Sequence, residues 1–145
     1  MKKINQASAA ILALLFFSVS VLAQDSLAVV VNKANPVDEL SRSELIDLFM
    51  GKYVAFPNDV KAIPVELNGD HKIKVDFYKQ LVDMPLSQVN AYWSRLRFTG
   101  RKRSAIFQSN EAELIAFIIA NEQAIGYVPQ SLITDELKVV YILHE

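Results

Sequence analysis

The chain of 145 residues has no cysteine, which excludes disulfides, thiolate chemistry, cysteine-based metal sites and a lipid anchor on an N-terminal cysteine. Histidine occurs only twice, at His71 and His144. His71 stands next to Asp70, and adjacent residues rarely converge on one ion, so no metal site and no cofactor are expected. None of the serines lies in a nucleophile elbow, and Asp38-Glu39 reads as loop charge before a helix. A non-catalytic protein follows. Charge is also nearly balanced, with a formal net of −1. That balance argues against nucleic acid as a partner. No internal repeat, low-complexity tract or interdomain linker interrupts the chain.

Long hydrophobic runs are scarce as well. Ala9 to Phe17 is apolar, follows the basic Lys2-Lys3 and leads to Val21-Leu22-Ala23. It falls short of the roughly 20 residues a membrane span needs. The pattern is that of a secretory signal over residues 1–23, cleaved after Ala23. Residues 24–145 are then expected to be one exported, periplasmic domain without stable membrane insertion, long enough for a real core.

Within that domain, strands and helices alternate. Leu27 to Asn32 is a β-branched run that reads as a buried strand. Ser41 with Glu44 forms a capping box, Leu45, Leu48 and Phe49 share a helical face, and Gly51 suits the C-terminal cap. Ile63 to Leu67 is a second strand. Helices are expected from His71 to Val82, from Pro85 with Val89, Tyr92, Trp93 and Leu96 on one stripe, and from Asn110 to Asn121. The last is apolar nearly all round, which predicts burial on more than one side. Ala105 to Phe107 is a brief extended piece, and Ala124 to Val128 and Leu137 to Leu143 are the final strands. The pattern predicts an α/β sandwich with a mainly parallel sheet flanked by helices.

Three places could carry chemistry. The turn Asn68-Gly69-Asp70-His71-Lys72-Ile73-Lys74 precedes a helix, whose free N–H groups and dipole favour an anion. His71, Lys72 and Lys74 would attract it while Asn68 and Gly69 shape the turn. Asp70, read as the N-cap carboxylate, opposes it. The plainer reading is a capped helix with solvated lysines. The second place holds Arg95, Arg97, Arg101, Lys102 and Arg103, with Tyr92, Trp93, Phe98 and Phe107 around them. It is either a solvated basic turn beside a core tryptophan or a docking surface for an acidic protein or anionic lipid, with Arg101, Lys102 and Arg103 as the contact residues. The third is Gly126-Tyr127 at a strand end. There Tyr127 could line a ligand cleft, or Gly126 could simply let a helix pack closely.

The segments Ser41–Lys52, ending Phe49-Met50-Gly51-Lys52, and Ala124-Ile125-Gly126-Tyr127-Val128-Pro129 resemble the solute-binding proteins of phosphate ABC transporters, as does Val29-Val30-Val31-Asn32. The likeness runs from about Leu27 to Ser131 and covers one lobe of that two-lobed family. The resemblance implies an oxyanion site at the turn after the second strand, where the family carries an Arg followed by Gly-Ser-Gly-Thr. Here Glu66 or Leu67 stands near the arginine, and His71, Lys72 and Ile73 stand near Ser-Gly-Thr. The family's anion ligands are thus replaced. What the resemblance implies is therefore a domain that holds a phosphate-like anion weakly. The alternative is an interaction or sensory module that meets an ABC transporter or envelope protein. The apolar helix from Asn110 to Asn121 would also allow two lobes to pair as a homodimer.

Overall fold

The computed structural model describes residues 25–51, 55–103 and 105–144. The expected leader at residues 1–23, with its cleavage after Ala23, lies outside them, as do Lys52 and Ser104. The chain runs β1 (Leu27–Asn32), α1 (Arg42–Phe49), β2 (Ile63–Leu67), α2 (Lys72–Val82), α3 (Leu86–Phe98), β3 (Ile106–Gln108), α4 (Glu111–Ala120), β4 (Ala124–Pro129) and β5 (Leu137–Ile142). The strands form one sheet in the order β3-β2-β4-β1-β5. Strand β2 is parallel to β3 and to β4, whereas β1 is antiparallel to β4 and β5. Four strands therefore share one direction and β1 alone opposes them. Crossovers through α2–α3 and through α4 keep β2, β3 and β4 parallel, as such connections require.

Side-chain alternation along β4 assigns the two faces. A Cβ on Gly126 would stand 2.8 Å from Ile118 and 3.1 Å from Leu114, so α4 lies directly on this face. The next residue, Tyr127, points the other way and stacks on Phe77 of α2 at 4.0 Å, with Phe49 of α1 at 6.1 Å. The close-packing role of Gly126 thus holds. Tyr127 is fully buried and lines no open cleft.

The capping box at Ser41 is present, with the Ser41 hydroxyl accepting from the Glu44 N–H and Glu44 accepting from the Ser41 N–H. Gly51 follows the C-cap of α1 at φ +76°, a left-handed conformation, with its absent side chain's place taken by the Trp93 ring 2.4 Å away. The Tyr92 hydroxyl donates to the Met50 carbonyl at 2.9 Å and fixes α3 against this corner. Two expectations are corrected. Helix α2 begins at Lys72 with His71, not Asp70, as N-cap, and no side chain caps it. Helix α4 is fully buried only at Leu114 and Ile118, while Ile115, Phe117 and Ile119 are half-buried and Ala112, Ala116 and Ala120 exposed. Among the described residues it packs on the sheet against β1, β2, β3 and β4, and its extensive contacts are with these strands rather than with another helix.

Candidate functional site

At the carboxyl edge of the sheet, β2 leads into α2 and its parallel neighbour β3 leads into α4. These helices cover opposite faces, which makes the edge between β2 and β3 a topological switch point, where open α/β sheets place ligands. Asn68, Gly69 (φ +62°) and Asp70 are exposed here. His71 Nε2 lies 3.6 Å from Glu111 at the start of α4. Lys72 is turned along its own helix into an ion pair with Asp76. Lys74 is buried, with its ammonium 5.1 Å from the Phe107 ring. The predicted anion residues are thus not convergent. Asn68, Gly69 and His71 stay at the turn, Lys72 is engaged by a carboxylate, and Lys74 and Tyr127 belong to the interior. Asp70, Asp76 and Glu111 give the turn a negative surround.

Below the turn lies a polar cluster that sequence reading missed. Glu66 of β2 is fully buried. Tyr78 Oη donates to its Oε1 at 2.5 Å, and Arg103 Nη2 donates to its Oε2 at 2.5 Å and to Tyr78 Oη at 2.7 Å. The Tyr127 hydroxyl accepts from the Leu67 N–H at 3.3 Å, where the registered β2–β4 ladder has ended at Pro64–Ile125. Burial pushes the Glu66 carboxyl above its usual range, against the pull of Arg103, Tyr78 and Lys74. Burial likewise lowers Lys74, while Glu66 holds it up. Both tyrosines are pushed well above 10.0, first by burial and then by the Glu66 charge. Glu66 acts as an internal anion, occupying the guanidinium of Arg103. A lone Glu inside the run Ile63-Pro64-Val65-Glu66-Leu67 was the available signal, because a carboxylate in a buried strand must find a cation.

The basic segment therefore divides. Arg103 is drawn inward, stacked over Trp93 at 4.6 Å and near Phe107 at 5.1 Å. Arg97, Arg101 and Lys102 remain exposed. Together with Asn90, Trp93, Ser94, Arg103 and Phe107, these three line a cleft of about 610 Å³ between α3 and the segment before β3. No carboxylate is among the described residues that line it. A neighbouring depression of about 200 Å³ shares Ser94 and Arg97 and ends at Phe98, which is 93 % exposed. Trp93 Nε1 and Arg103 Nε are buried donors with no acceptor among the described residues.

Among the described residues no group of three carboxylates and imidazoles could hold a metal ion, and no helix is long and apolar enough to cross a membrane. No protein-family profile and no curated sequence matches the chain. Solved structures do. A Clostridium perfringens protein with bound phosphate, named for phosphate ABC transporter substrate binding, superposes with a TM-score of 0.66 at 18 % identity. An ABC-type phosphate transport receptor from Vibrio cholerae gives 0.64 at 22 %, and PstS from Borrelia burgdorferi 0.62 at 12 %. Each likeness covers 80 % of this chain but only 44 %, 45 % and 46 % of those chains, in that order. The chain has the fold of one lobe of the phosphate-type substrate-binding proteins and spans less than half their length.

Proposed function

We propose that the chain is an exported, non-catalytic domain of the solute-binding type that recognises an anionic group in a transport or sensing role at the cell envelope. Export rests on the leader-like residues 1–23, and release after Ala23 would leave residues 24–145 as a single periplasmic domain. The contact lies in the cleft of α3. What carries this reading is the lining of that cleft, where Arg97, Arg101 and Lys102 gather with no carboxylate among the described lining residues. A single lobe offers an open surface, so a small anion held there alone is held weakly. Binding sites for small molecules usually bury about 70–90 % of the ligand.

Trp93 is the sole tryptophan of the chain and lines the cleft, so its fluorescence reports occupancy. Titration with phosphate, sulfate and an all-glutamate octapeptide, each against chloride at matched ionic strength, is expected to give a saturable change. Combined Arg97→Glu, Arg101→Glu and Lys102→Glu removes it. Absence of a saturable response to every one of these anions sinks the proposal.

A second reading keeps the anion at the turn Asn68-Gly69-His71, favoured by the switch-point position and by the fold likeness to a phosphate-bound protein. It predicts that phosphate raises the melting temperature in a way that Lys72→Glu abolishes and the triple reversal in the cleft does not. Partners under either reading are an ABC transporter or another envelope protein.

A further inference from the structure

We infer that the occupant of the α3 cleft is an acidic segment of a partner protein carrying an aromatic residue beside its carboxylates, an occupant that presupposes the anion-recognition reading above. Size argues first. The cleft of about 610 Å³ falls in the range of pockets that hold whole drug-sized ligands, far beyond one tetrahedral oxyanion. It is also continuous with the depression at Phe98 through Ser94 and Arg97. The strip thus runs from Arg101 and Lys102, across Arg97, to an apolar end, and suits an extended ligand with acid and ring side by side.

Phe98 is the second observation. Its ring is almost wholly in solvent at the end of α3, so it contributes nothing to this chain's own core. Exposed aromatics next to arginine are the composition of interaction hot spots. The donors supply the third. Trp93 is buried to more than nine-tenths, yet its Nε1, like Arg103 Nε beside it, has no acceptor. The exposed cations Arg97, Arg101 and Lys102 line the same cleft, and carboxylates supply the acceptors that such a set of donors takes. An anionic membrane would also attract Arg97, Arg101, Lys102 and Phe98. A bilayer surface is locally flat, however, and cannot fill a concave cleft with Trp93 and Arg103 in its wall.

The test uses the purified protein and three probes: an octapeptide of glutamates interrupted by two phenylalanines, the all-glutamate octapeptide, and vesicles of phosphatidylglycerol. Peptides are read by Trp93 fluorescence and vesicles by co-sedimentation. The mixed peptide is expected to bind about tenfold more tightly than the all-glutamate one, the gain from burying a ring. Phe98→Ser, at an exposed position, brings the mixed peptide down to the all-glutamate level. Equal affinity of both peptides overturns this inference while leaving the anion reading intact. Binding to vesicles but to neither peptide overturns it in favour of lipid. Silence towards phosphate, sulfate and both peptides removes the anion reading itself.

Discussion

The turn at 68–74 and the strip at 95–103 both bring cations to the end of a helix, but to opposite ends. Lys72 and Lys74 sit in the first turn of α2, where the dipole is positive, whereas Arg95 and Arg97 sit in the last turn of α3, where it is negative. A cation at a helix N-terminus is disfavoured unless something compensates it. Lys72 is compensated by Asp76, and Lys74 leaves the surface to lie beside Phe107 and Glu66. The arginines at the C-terminus of α3 are already favoured by the helix. They remain exposed and have no carboxylate partner among the described residues. Positive charge in a sequence becomes available to a ligand only where the fold has not already spent it on neutralising itself.

The comparison breaks most sharply at Arg103, the one cation of the strip that has gone inward. Arg103→Met leaves the buried Glu66 carboxylate without its guanidinium, and truncating one partner of a buried pair costs about 3–5 kcal/mol. Denaturant melts at neutral pH should show that loss. The sign of its pH dependence follows from the raised folded-state value of Glu66. Between 4.5 and that value the folded protein binds more protons than the unfolded chain, so this group's contribution falls as pH rises. The variant's deficit is accordingly smaller in mild acid, and an equal deficit at both pH values would mean that Glu66 does not carry it.

Next in size is Gly51→Ala. The positive φ and the Trp93 ring 2.4 Å from the new Cβ together cost about 2–4 kcal/mol. Displacing the ring also shifts Trp93 fluorescence, and an unshifted spectrum would separate this corner from the cleft. Lys74→Met should change stability at neutral pH by less than about 1 kcal/mol, because Glu66 keeps Arg103 as its ion-pair partner and the methionine keeps an apolar stem beside Phe107. Its signature is in pH. Burial lowers Lys74, so from that lowered value up to 10.5 the folded protein binds fewer protons than the unfolded chain, and stability rises with pH. That alkaline rise, followed by thermal melts, disappears in the variant. The smallest effects are expected at Lys72→Ala and Arg97→Ala, each within about 0.5 kcal/mol by denaturant melts. The two should then part on binding, since only Arg97→Ala weakens the all-glutamate peptide.

Local signals marked most of the elements. The β-branched run Leu27–Asn32, the Ser41–Glu44 box and Gly51 after α1 depend on neighbours within a few residues, and each is where the pattern put it. The apolar stripe of α3 likewise buries Val89 and Trp93. Helix α4 shows the limit of such reading. Its composition is apolar nearly all round, but a helix is buried only on the sides where other elements lie, and among the described residues its extensive contacts are with the sheet, leaving Ala112, Ala116 and Ala120 exposed. The reversal of β1 within the sheet was equally absent from local pattern, because strand direction is set by which strands become neighbours.

The sequence by itself determined the class of fold, the absence of cysteine chemistry and the presence of two basic segments, since these follow from composition and from contacts between near neighbours. Only the tertiary structure decided which cations face outward. Glu66, Tyr78 and Arg103 are separated by 12 to 37 positions and meet because β2, α2 and the segment before β3 pack together. A buried carboxylate must take the nearest guanidinium the fold can deliver. That requirement draws Arg103 inside and leaves Arg97, Arg101 and Lys102 to the cleft.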